Sequence, residues 1–203
     1  MSRRFKGQKL LFATHNAGKL EEMQALLAPR GVEVIGAAAL GLAEPEETEH
    51  SFIGNARIKA LAAMRATGLP ALADDSGIEV DALGGAPGVH TADWAETPMG
   101  RDFGLAMRRT HDALQAAGAA EPWRARFCSV LVLVWPDGHE EVVSGIAEGR
   151  LVWPVRGAEG HGYDPMFIPS GEERTFAEMS AQEKNRISHR ARAVEALMER
   201  CFT

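Results

Sequence analysis

Two adjacent carboxylates are the residues in this sequence best suited to chemistry. Asp74 and Asp75 follow the short apolar segment Ala71–Ala73 and precede Ser76. Neighbouring carboxylates beside a buried segment repel each other, and Mg²⁺, which takes oxygen ligands, can offset that repulsion. Because adjacent residues of an extended chain point to opposite sides, we expect one carboxylate to face the metal directly. The alternative is a helix cap or an Asx-turn, which the lack of a periodic apolar pattern immediately afterwards disfavours.

A polar turn between a predicted strand at 9–14 and a predicted helix at 19–27 is a candidate phosphate site. It consists of Thr14, His15, Asn16, Ala17, Gly18 and Lys19. Backbone N–H groups at the start of a helix attract anions, and Lys19 adds a positive charge. The turn is not a P-loop, because Ala13 stands where that motif begins with glycine and Leu20 replaces its Ser or Thr. An ordinary strand–helix turn with an exposed lysine is the alternative.

A run of acidic residues lies between these two segments and contains Glu44, Glu46, Glu47 and Glu49. Charge runs of this kind are most often solvated loops. If the loop folds beside Asp75, one of its glutamates could complete the Mg²⁺ coordination shell.

A second group of candidates combines glycines with ring-bearing residues and consists of Gly160, His161, Gly162, Tyr163, Asp164 and Pro165. The glycines would let a planar ligand approach the backbone, and His161 or Tyr163 could stack on a nucleobase. A purely structural turn is the alternative.

Basic residues gather further along the chain at Lys184, His189 and Arg190. On one continuous helix His189 would point nearly opposite to the other two. Joint contact with a ligand is therefore easier if the helix breaks near Ser188, which could cap a second helix. A solvated basic face is the alternative.

The hydrophobic pattern around these candidates predicts alternating strands and helices. Ser51 is a candidate N-cap for a helix to about residue 66, which places Asn55 and Lys59 one turn apart, away from its apolar stripe. That stripe consists of Ile53, Ala56, Ala60 and Met64. Further strands are predicted at 32–35, 71–73, 78–83 and 126–135, the last forming a hairpin with 140–149, and helices at 102–117 and after Ser180. This order predicts an α/β fold, with a mixed β-sheet flanked by helices, in one domain spanning residues 1–203.

The bulk composition disfavours several classes of partner. The 203 residues carry a formal net charge of −6, whereas a sequence-independent nucleic-acid binder normally carries a basic surplus. Two cysteines, Cys128 and Cys201, are too few for a zinc site, and we interpret both as reduced thiols. No apolar segment reaches the roughly 18 residues that a membrane span requires, and no signal-peptide pattern follows the N-terminus. We therefore expect a cytoplasmic protein without nucleic-acid or membrane partners.

Taken together, these segments resemble the inosine triphosphate pyrophosphatase family, the house-cleaning dITP/XTP pyrophosphatases. The matching segments occur in the family's order over nearly the whole chain: FATHNAGKLEE (12–22), SFIGNARIKA (51–60), ALADDSGIEVDALGGAPGVHTA (71–92), ARFCSVL (125–131), GHGYDPMF (160–167) and EMSAQEKNRISHR (178–190). The ADDSG and GYDP segments in one chain, with SHR downstream, are a highly specific combination.

The resemblance implies hydrolysis of a non-standard purine nucleoside triphosphate, such as dITP, ITP or XTP, to its monophosphate and pyrophosphate. It also implies Mg²⁺, a homodimer, and an elongated two-lobed α/β fold with the active site in the cleft between the lobes.

Residue roles follow from the same resemblance. Asp75 matches the family's general base and metal ligand, Asp74 is its neighbour, and Glu47 matches the other metal-binding acid. Lys19 and Lys59 would neutralise charge during the reaction. The matching substrate positions are Thr14, His15, Asn16, Ala17, Gly18 and Lys19 in the phosphate-binding turn, Asn55 and Lys59 on the helix facing the phosphates, Ser76 as a substrate contact, and His161, Gly162, Tyr163, Asp164, Lys184, His189 and Arg190 for recognition of the base.

The sequence departs from the family at a few positions. His161 stands where phenylalanine is usual, His15 occupies a position more often filled by a smaller residue, and Trp94 replaces another aromatic.

Two rival functions are alternatives to the pyrophosphatase. A nucleotide pyrophosphatase of the septum-inhibitor type should lack the SHR and GYDP segments. A catalytically silent nucleotide-sensing module needs no paired carboxylates.

Overall fold

The computed structural model describes residues 2–202; Met1 and Thr203, the two ends of the predicted domain, lie outside the described residues. The strands are β1 (Lys9–Phe12), β2 (Glu33–Gly36), β3 (Ala71–Val80), β4 (Glu96–Thr97), β5 (Gly100–Arg101), β6 (Trp123–Val134), β7 (Glu140–Leu151) and β8 (Phe167–Pro169). The α-helices are α1 (Ala17–Leu27), α2 (Phe52–Thr67), α3 (Phe103–Ala116), α4 (Ala181–Lys184) and α5 (His189–Cys201).

Six of the strands form one mixed sheet in the order β2-β1-β3-β6-β7-β8, and β4 and β5 form a small separate pair. Strand β1 runs parallel to both β2 and β3, with Leu10 opposite Val34 and Leu11 opposite Ala71. Strand β8 runs antiparallel to β7. The predicted mixed sheet with flanking helices is therefore confirmed.

The chain forms two compact units. The first comprises residues 2–75, 129–145 and 189–202 of the described chain. Within it β1 alternates, so that Leu10 and Phe12 pack with α1 and α5 on one face of the sheet. Leu11 and Ala13 pack with the alanines of α2 on the other face. This alternation fixes which helix each neighbouring side chain of a strand can reach.

The second unit comprises residues 76–128 and 146–188. Its core gathers Ile78 and Val80 of β3, Phe127 of β6 and Leu114 of α3. Aromatic rings add to it, with the Phe127 and Phe167 centroids 4.8 Å apart in an edge-to-face arrangement.

The prediction of two short strands separated at residues 74–77 is wrong, because β3 continues from Ala71 to Val80. The polar side chains of Asp74 and Asp75 do not end the strand, since partners on other elements bind them. Beyond Val80 the predicted strand to residue 83 is replaced by a 3₁₀ turn at Asp81–Leu83. That turn ends at Gly84, whose φ of 64° favours glycine.

The helix signals are largely confirmed. Ser51 accepts a hydrogen bond from the Gly54 N–H at the start of α2, and Ser180 and Glu183 form the predicted capping box. The helix is interrupted between Lys184 and His189, which confirms a break near Ser188. The predicted apolar stripe of α2 is wrong at Ile53, which is 41% exposed. In residues 2–202 no helix combines the length and the apolar character needed to cross a membrane.

Candidate active site

The Asp74 carboxylate is completely buried and surrounded by donors in the first unit. The Ser129 hydroxyl donates to Oδ1 over 2.6 Å, while Lys19 Nζ and Arg190 Nη2 lie 3.0 Å and 3.2 Å from Oδ2. Burial alone would raise the pKa of Asp74, but Lys19 and the Ser129 hydroxyl outweigh burial and lower that pKa below its ordinary value. Asp74 is therefore an ionised carboxylate that holds one cation from α1 and one from α5.

Asp75 points to the opposite face of β3, towards α2. Lys59 Nζ donates to its Oδ1 over 3.2 Å, while Oδ2 is buried and has no hydrogen-bond partner among residues 2–202. Burial raises the pKa of Asp75, and the charges of Lys59 and Lys19 only partly oppose that rise. A buried carboxylate oxygen without a partner is costly, which indicates a position for a ligand.

The acidic loop reaches this second carboxylate through a single glutamate. Lys59 Nζ donates to Glu47 Oε1 over 2.6 Å as well as to Asp75, so that one ammonium group lies between the two acids. Glu44 and Glu46 are exposed, as the solvated-loop alternative expected for such a run. Among the glutamates of this loop in the described chain, Glu47, whose side chain is 36% exposed, is the one that forms an ion pair with Lys59.

The two carboxylates fit a hard cation. The described residues contain no group of three or more His, Cys, Asp and Glu side chains that could hold a metal ion on their own. Mg²⁺ is commonly held by one or two carboxylates, with water and phosphate oxygens completing its shell. The unpartnered oxygen of Asp75 and the carboxylate of Glu47 are donors of that kind.

The polar turn before α1 is organised by its own side chains. Asn16 is the N-cap of α1, and its side chain accepts from the Lys19 N–H over 3.0 Å. Thr14 is buried, and its hydroxyl accepts from the Asn16 N–H. This leaves Ala17 exposed and Gly18 half-buried in the first turn of an 11-residue helix, whose N-terminus favours an anion. The Lys19 side chain is 21% exposed and is drawn towards Asp74.

Two further contacts hold the acidic loop in place. His15 Nε2 donates to the carbonyl oxygen of Leu42 over 2.7 Å. Asn55, which is buried on α2, accepts from the Glu49 N–H over 3.0 Å. The predicted phosphate-turn residue His15 and the predicted phosphate-facing residue Asn55 therefore contact the loop that carries Glu47.

Arg190 is buried at the start of α5 and does not form a solvated basic face. Its guanidinium donates to Glu22 and to Asp74, which lie on α1 and β3. Burial lowers the pKa of Arg190 to about 10, so the group stays protonated at neutral pH. Close approach of α5 to β7 depends on Gly145, because a Cβ there would lie 2.1 Å from the His189 carbonyl oxygen. His189 itself is buried in the same unit.

The second unit contains another buried ion pair. Lys184 Nζ lies 2.6 Å from Asp164 Oδ2, which also accepts from the His161 N–H over 2.7 Å. Lys184 Nζ is 5.8 Å from the centroid of the Phe176 ring. Gly160, with φ of 75°, allows this arrangement, because a Cβ there would lie 2.1 Å from Asp164 Oδ2. The solvated-face alternative for Lys184 is therefore wrong.

The structure separates the two residues proposed to stack on a base. Tyr163 is 1% exposed, and its hydroxyl lies 3.0 Å from the Thr110 hydroxyl. Burial raises the pKa of Tyr163 to about 12. Its ring meets Phe103 edge-on and has no face open to a ligand. The prediction that Tyr163 could stack on a nucleobase is therefore wrong. His161 is exposed, Gly162 beside it has φ of 63°, and Ser76 is half-buried.

Sequence reasoning missed two residues of the first unit. Glu22 lies three residues after Lys19 on α1, a spacing that places both side chains on one helix face. Ser129 is a hydroxyl within an apolar strand, and a buried hydroxyl needs an acceptor. Neither signal identifies the partner, which is Arg190 for Glu22 and Asp74 for Ser129, because each contact joins distant parts of the chain.

Comparisons with known proteins give a consistent result. The sequence model of the Ham1 family matches residues 10–200. A dITP/XTP pyrophosphatase of Ruegeria pomeroyi is 66% identical over 202 residues, covering 100% of this chain and 99% of the relative. One from Rhizobium meliloti is 53% identical over 211 residues, covering 98% and 99%.

Solved structures agree in fold. A HAM1 protein from Coxiella burnetii superposes with a TM-score of 0.85 at 37% identity, covering 94% of this chain and 96% of that one. The Staphylococcus aureus Ham1 protein gives 0.81 at 31% identity with the same coverage. Since the family match spans nearly the whole chain, this protein belongs to the Ham1 family.

Proposed function

We propose that this protein hydrolyses non-standard purine nucleoside triphosphates, namely dITP, ITP and XTP, to the monophosphate and pyrophosphate. The observation that carries the proposal is the buried oxygen of Asp75 without a partner, set beside Lys59 and Glu47. Relatives named dITP/XTP pyrophosphatase match the chain over its full length, which supports this choice of substrate.

The first unit supplies the groups that this reaction needs. The N-terminus of α1 and the Lys19 ammonium would bind the phosphates, because both favour negative charge. Lys59 would reduce the charge that otherwise repels an attacking nucleophile from the α-phosphate. Asp75, whose pKa is raised by burial, would accept the proton of the attacking water.

We further propose that Mg²⁺ is the cofactor and that Asp75 and Glu47 would hold it. When bound, a divalent cation supplies positive charge to the phosphates and acidifies coordinated water. The chain would fix the position of the cation, because the Lys59 ammonium group contacts both carboxylates and so holds Asp75 and Glu47 close together.

Discrimination of the base would rest on donors aimed at the 6-oxo group. Within the second unit, the exposed His161 can stack on a purine ring, and backbone N–H groups beside it can donate to the 6-oxo group. A 6-amino group in place of the oxo group would leave such donors unpaired, which is strongly penalised. A homodimer, which the resemblance implies, and a cytoplasmic location belong to the same proposal.

A substrate panel tests the proposed function. ITP, dITP, XTP, ATP and dTTP are each incubated with the protein and Mg²⁺, and the products are identified by ion-exchange chromatography and a pyrophosphate-specific assay. We expect IMP, dIMP and XMP with pyrophosphate in equal amounts, and slow turnover of ATP and dTTP. Release of orthophosphate with a diphosphate would contradict the proposal, and preference for dTTP would favour the septum-inhibitor class. Binding of ITP without turnover would favour the sensing module.

A further inference from the structure

Ser129 has a hydroxyl group that the proposed chemistry does not use directly. It lies in β6, where Val130, Leu131 and Val132 are also buried, and none of its surface is exposed. A hydroxyl in such surroundings is costly unless it makes a hydrogen bond. Its Oγ donates to Asp74 Oδ1 over 2.6 Å, a short bond of the kind expected between a hydroxyl and a carboxylate.

The other oxygen of Asp74 is approached by two cations. Lys19 Nζ and Arg190 Nη2 both lie within 3.2 Å of Oδ2, and these two positive groups repel each other. Their shared position is stable only if the carboxylate presents that oxygen to both. Because Ser129 binds the other oxygen, Oδ1, it restricts the rotation of the carboxylate about its Cβ–Cγ bond.

Asp74 and Asp75 therefore differ in what they can do. Each oxygen of Asp74 accepts from at least one donor, whereas Oδ2 of Asp75 has no partner among the described residues. The Asp74 side chain is also completely buried among these donors, so a metal ion or a water molecule has no open approach to it. Asp74 acts through Lys19 and Arg190.

We propose that Ser129 is a positioning residue for triphosphate binding, acting through Asp74 on Lys19 and Arg190. The inference rests on the proposed function for its substrate, but the positioning effect concerns the binding of polyphosphate and is measurable without turnover. Loss of the hydroxyl would let the Asp74 carboxylate rotate, and the ammonium of Lys19, a residue in the first turn of α1, would then lose its fixed position.

The test compares Ser129→Ala and Ser129→Cys with Val132→Ala. Cysteine keeps nearly the volume of serine but is a weak donor, so it separates the hydrogen bond from packing and serves if the alanine variant does not fold. Val132 is buried on the same strand and packs on the other face of the sheet, which makes it the control for lost core volume. Tripolyphosphate binding is measured by titration calorimetry in EDTA, and kcat and KM for ITP are measured with Mg²⁺.

We expect tripolyphosphate to bind about tenfold more weakly to both Ser129 variants, the loss expected for a hydrogen bond to a charged group. KM for ITP should rise by a similar factor with a smaller change in kcat, while Val132→Ala keeps wild-type affinity despite lower thermal stability. Wild-type affinity in Ser129→Cys would overturn the inference. If the wild-type protein releases no pyrophosphate from ITP but the Ser129 variants still lose tripolyphosphate affinity, the proposed function fails and the inference stands.

Discussion

Lys59 Nζ lies 3.2 Å from Asp75 Oδ1 and 2.6 Å from Glu47 Oε1, so one ammonium group joins carboxylates from a strand and from a loop. The lysine is positioned by α2, which also places Asn55 one turn earlier on its buried face. Without this cation, Asp75 and Glu47 would repel each other, and burial would favour protonation of Asp75. The geometry keeps two acids close together while leaving an oxygen of Asp75 without a hydrogen-bond partner in the described chain.

Replacement of Asp75 by asparagine should abolish turnover. The amide cannot accept the proton from water, and loss of a general base typically lowers kcat by about 10²–10⁴. The fold should persist, because asparagine retains an oxygen that can accept from Lys59. kcat for ITP at saturating Mg²⁺ and the thermal midpoint are measured together.

The control for this variant is Asp81→Asn, which changes an exposed aspartate immediately after the last residue of β3. Its kcat should match that of the wild type. A kcat within about threefold of wild type for Asp75→Asn would refute its assigned role, given the size of the effect expected for a base.

Replacement of Glu47 by glutamine should weaken activation by Mg²⁺. The loss removes one negative charge and one of the two proposed ligands. The Mg²⁺ concentration for half-maximal activity should therefore rise at least tenfold, a factor that loss of outer-shell partners alone reaches at other metal sites. Glu46→Gln is the matched control, since this neighbour is exposed and carries the same charge. Equal Mg²⁺ requirements in both variants would rule out Glu47 as a ligand.

Much of this site could be predicted from local patterns. The cap at Ser51, the polar turn before α1 and the break before His189 are each encoded within a few residues. The continuity of β3 was not predictable in this way. Asp74 and Asp75 have the turn preferences of aspartate, and they remain in a strand because Ser129 and Lys59 bind them.

The burial of the basic residues was also hidden from the sequence. Lys184 and Arg190 have spacing typical of a solvated basic face, yet both are buried, with Asp164 and Glu22 as their partners. A buried cation needs a counter-ion from elsewhere in the fold, and such long-range pairing leaves no periodic pattern. Tyr163 shows the opposite error, since its buried hydroxyl pairs with Thr110 and its ring is unavailable for stacking.

Replacement of His15 by alanine should loosen the acidic loop. The bond from Nε2 to the Leu42 carbonyl is one of the contacts that order a segment without regular secondary structure at residues 43–49. Loss of one hydrogen bond of ordinary strength should raise the population of opened loop about fivefold. Cleavage after glutamate by a glutamyl endopeptidase, followed by mass spectrometry, measures that opening.

His90→Ala is the control for His15→Ala, because His90 is an exposed histidine whose ring contacts a single aspartate, Asp93. The loop should be cleaved at the wild-type rate in this variant. Equal cleavage of the loop in His15→Ala and wild type would show that the contact does not restrain it. Cofactor-free protein is used, so that any effect of bound Mg²⁺ on the loop is absent.

The two cysteines should make the protein less stable at alkaline pH. Burial raises the pKa of Cys128 from 9.0 to about 12 and that of Cys201 to about 11. Between pH 9 and pH 11 the unfolded chain loses thiol protons that the folded chain retains, so the free energy of unfolding falls as pH rises. Urea midpoints at pH 8 and pH 10 measure the fall, and Cys128→Ala should reduce it. In the same range iodoacetamide should label the folded protein far more slowly than the urea-unfolded chain, and rapid labelling of the folded protein at pH 9 would contradict the raised pKa values.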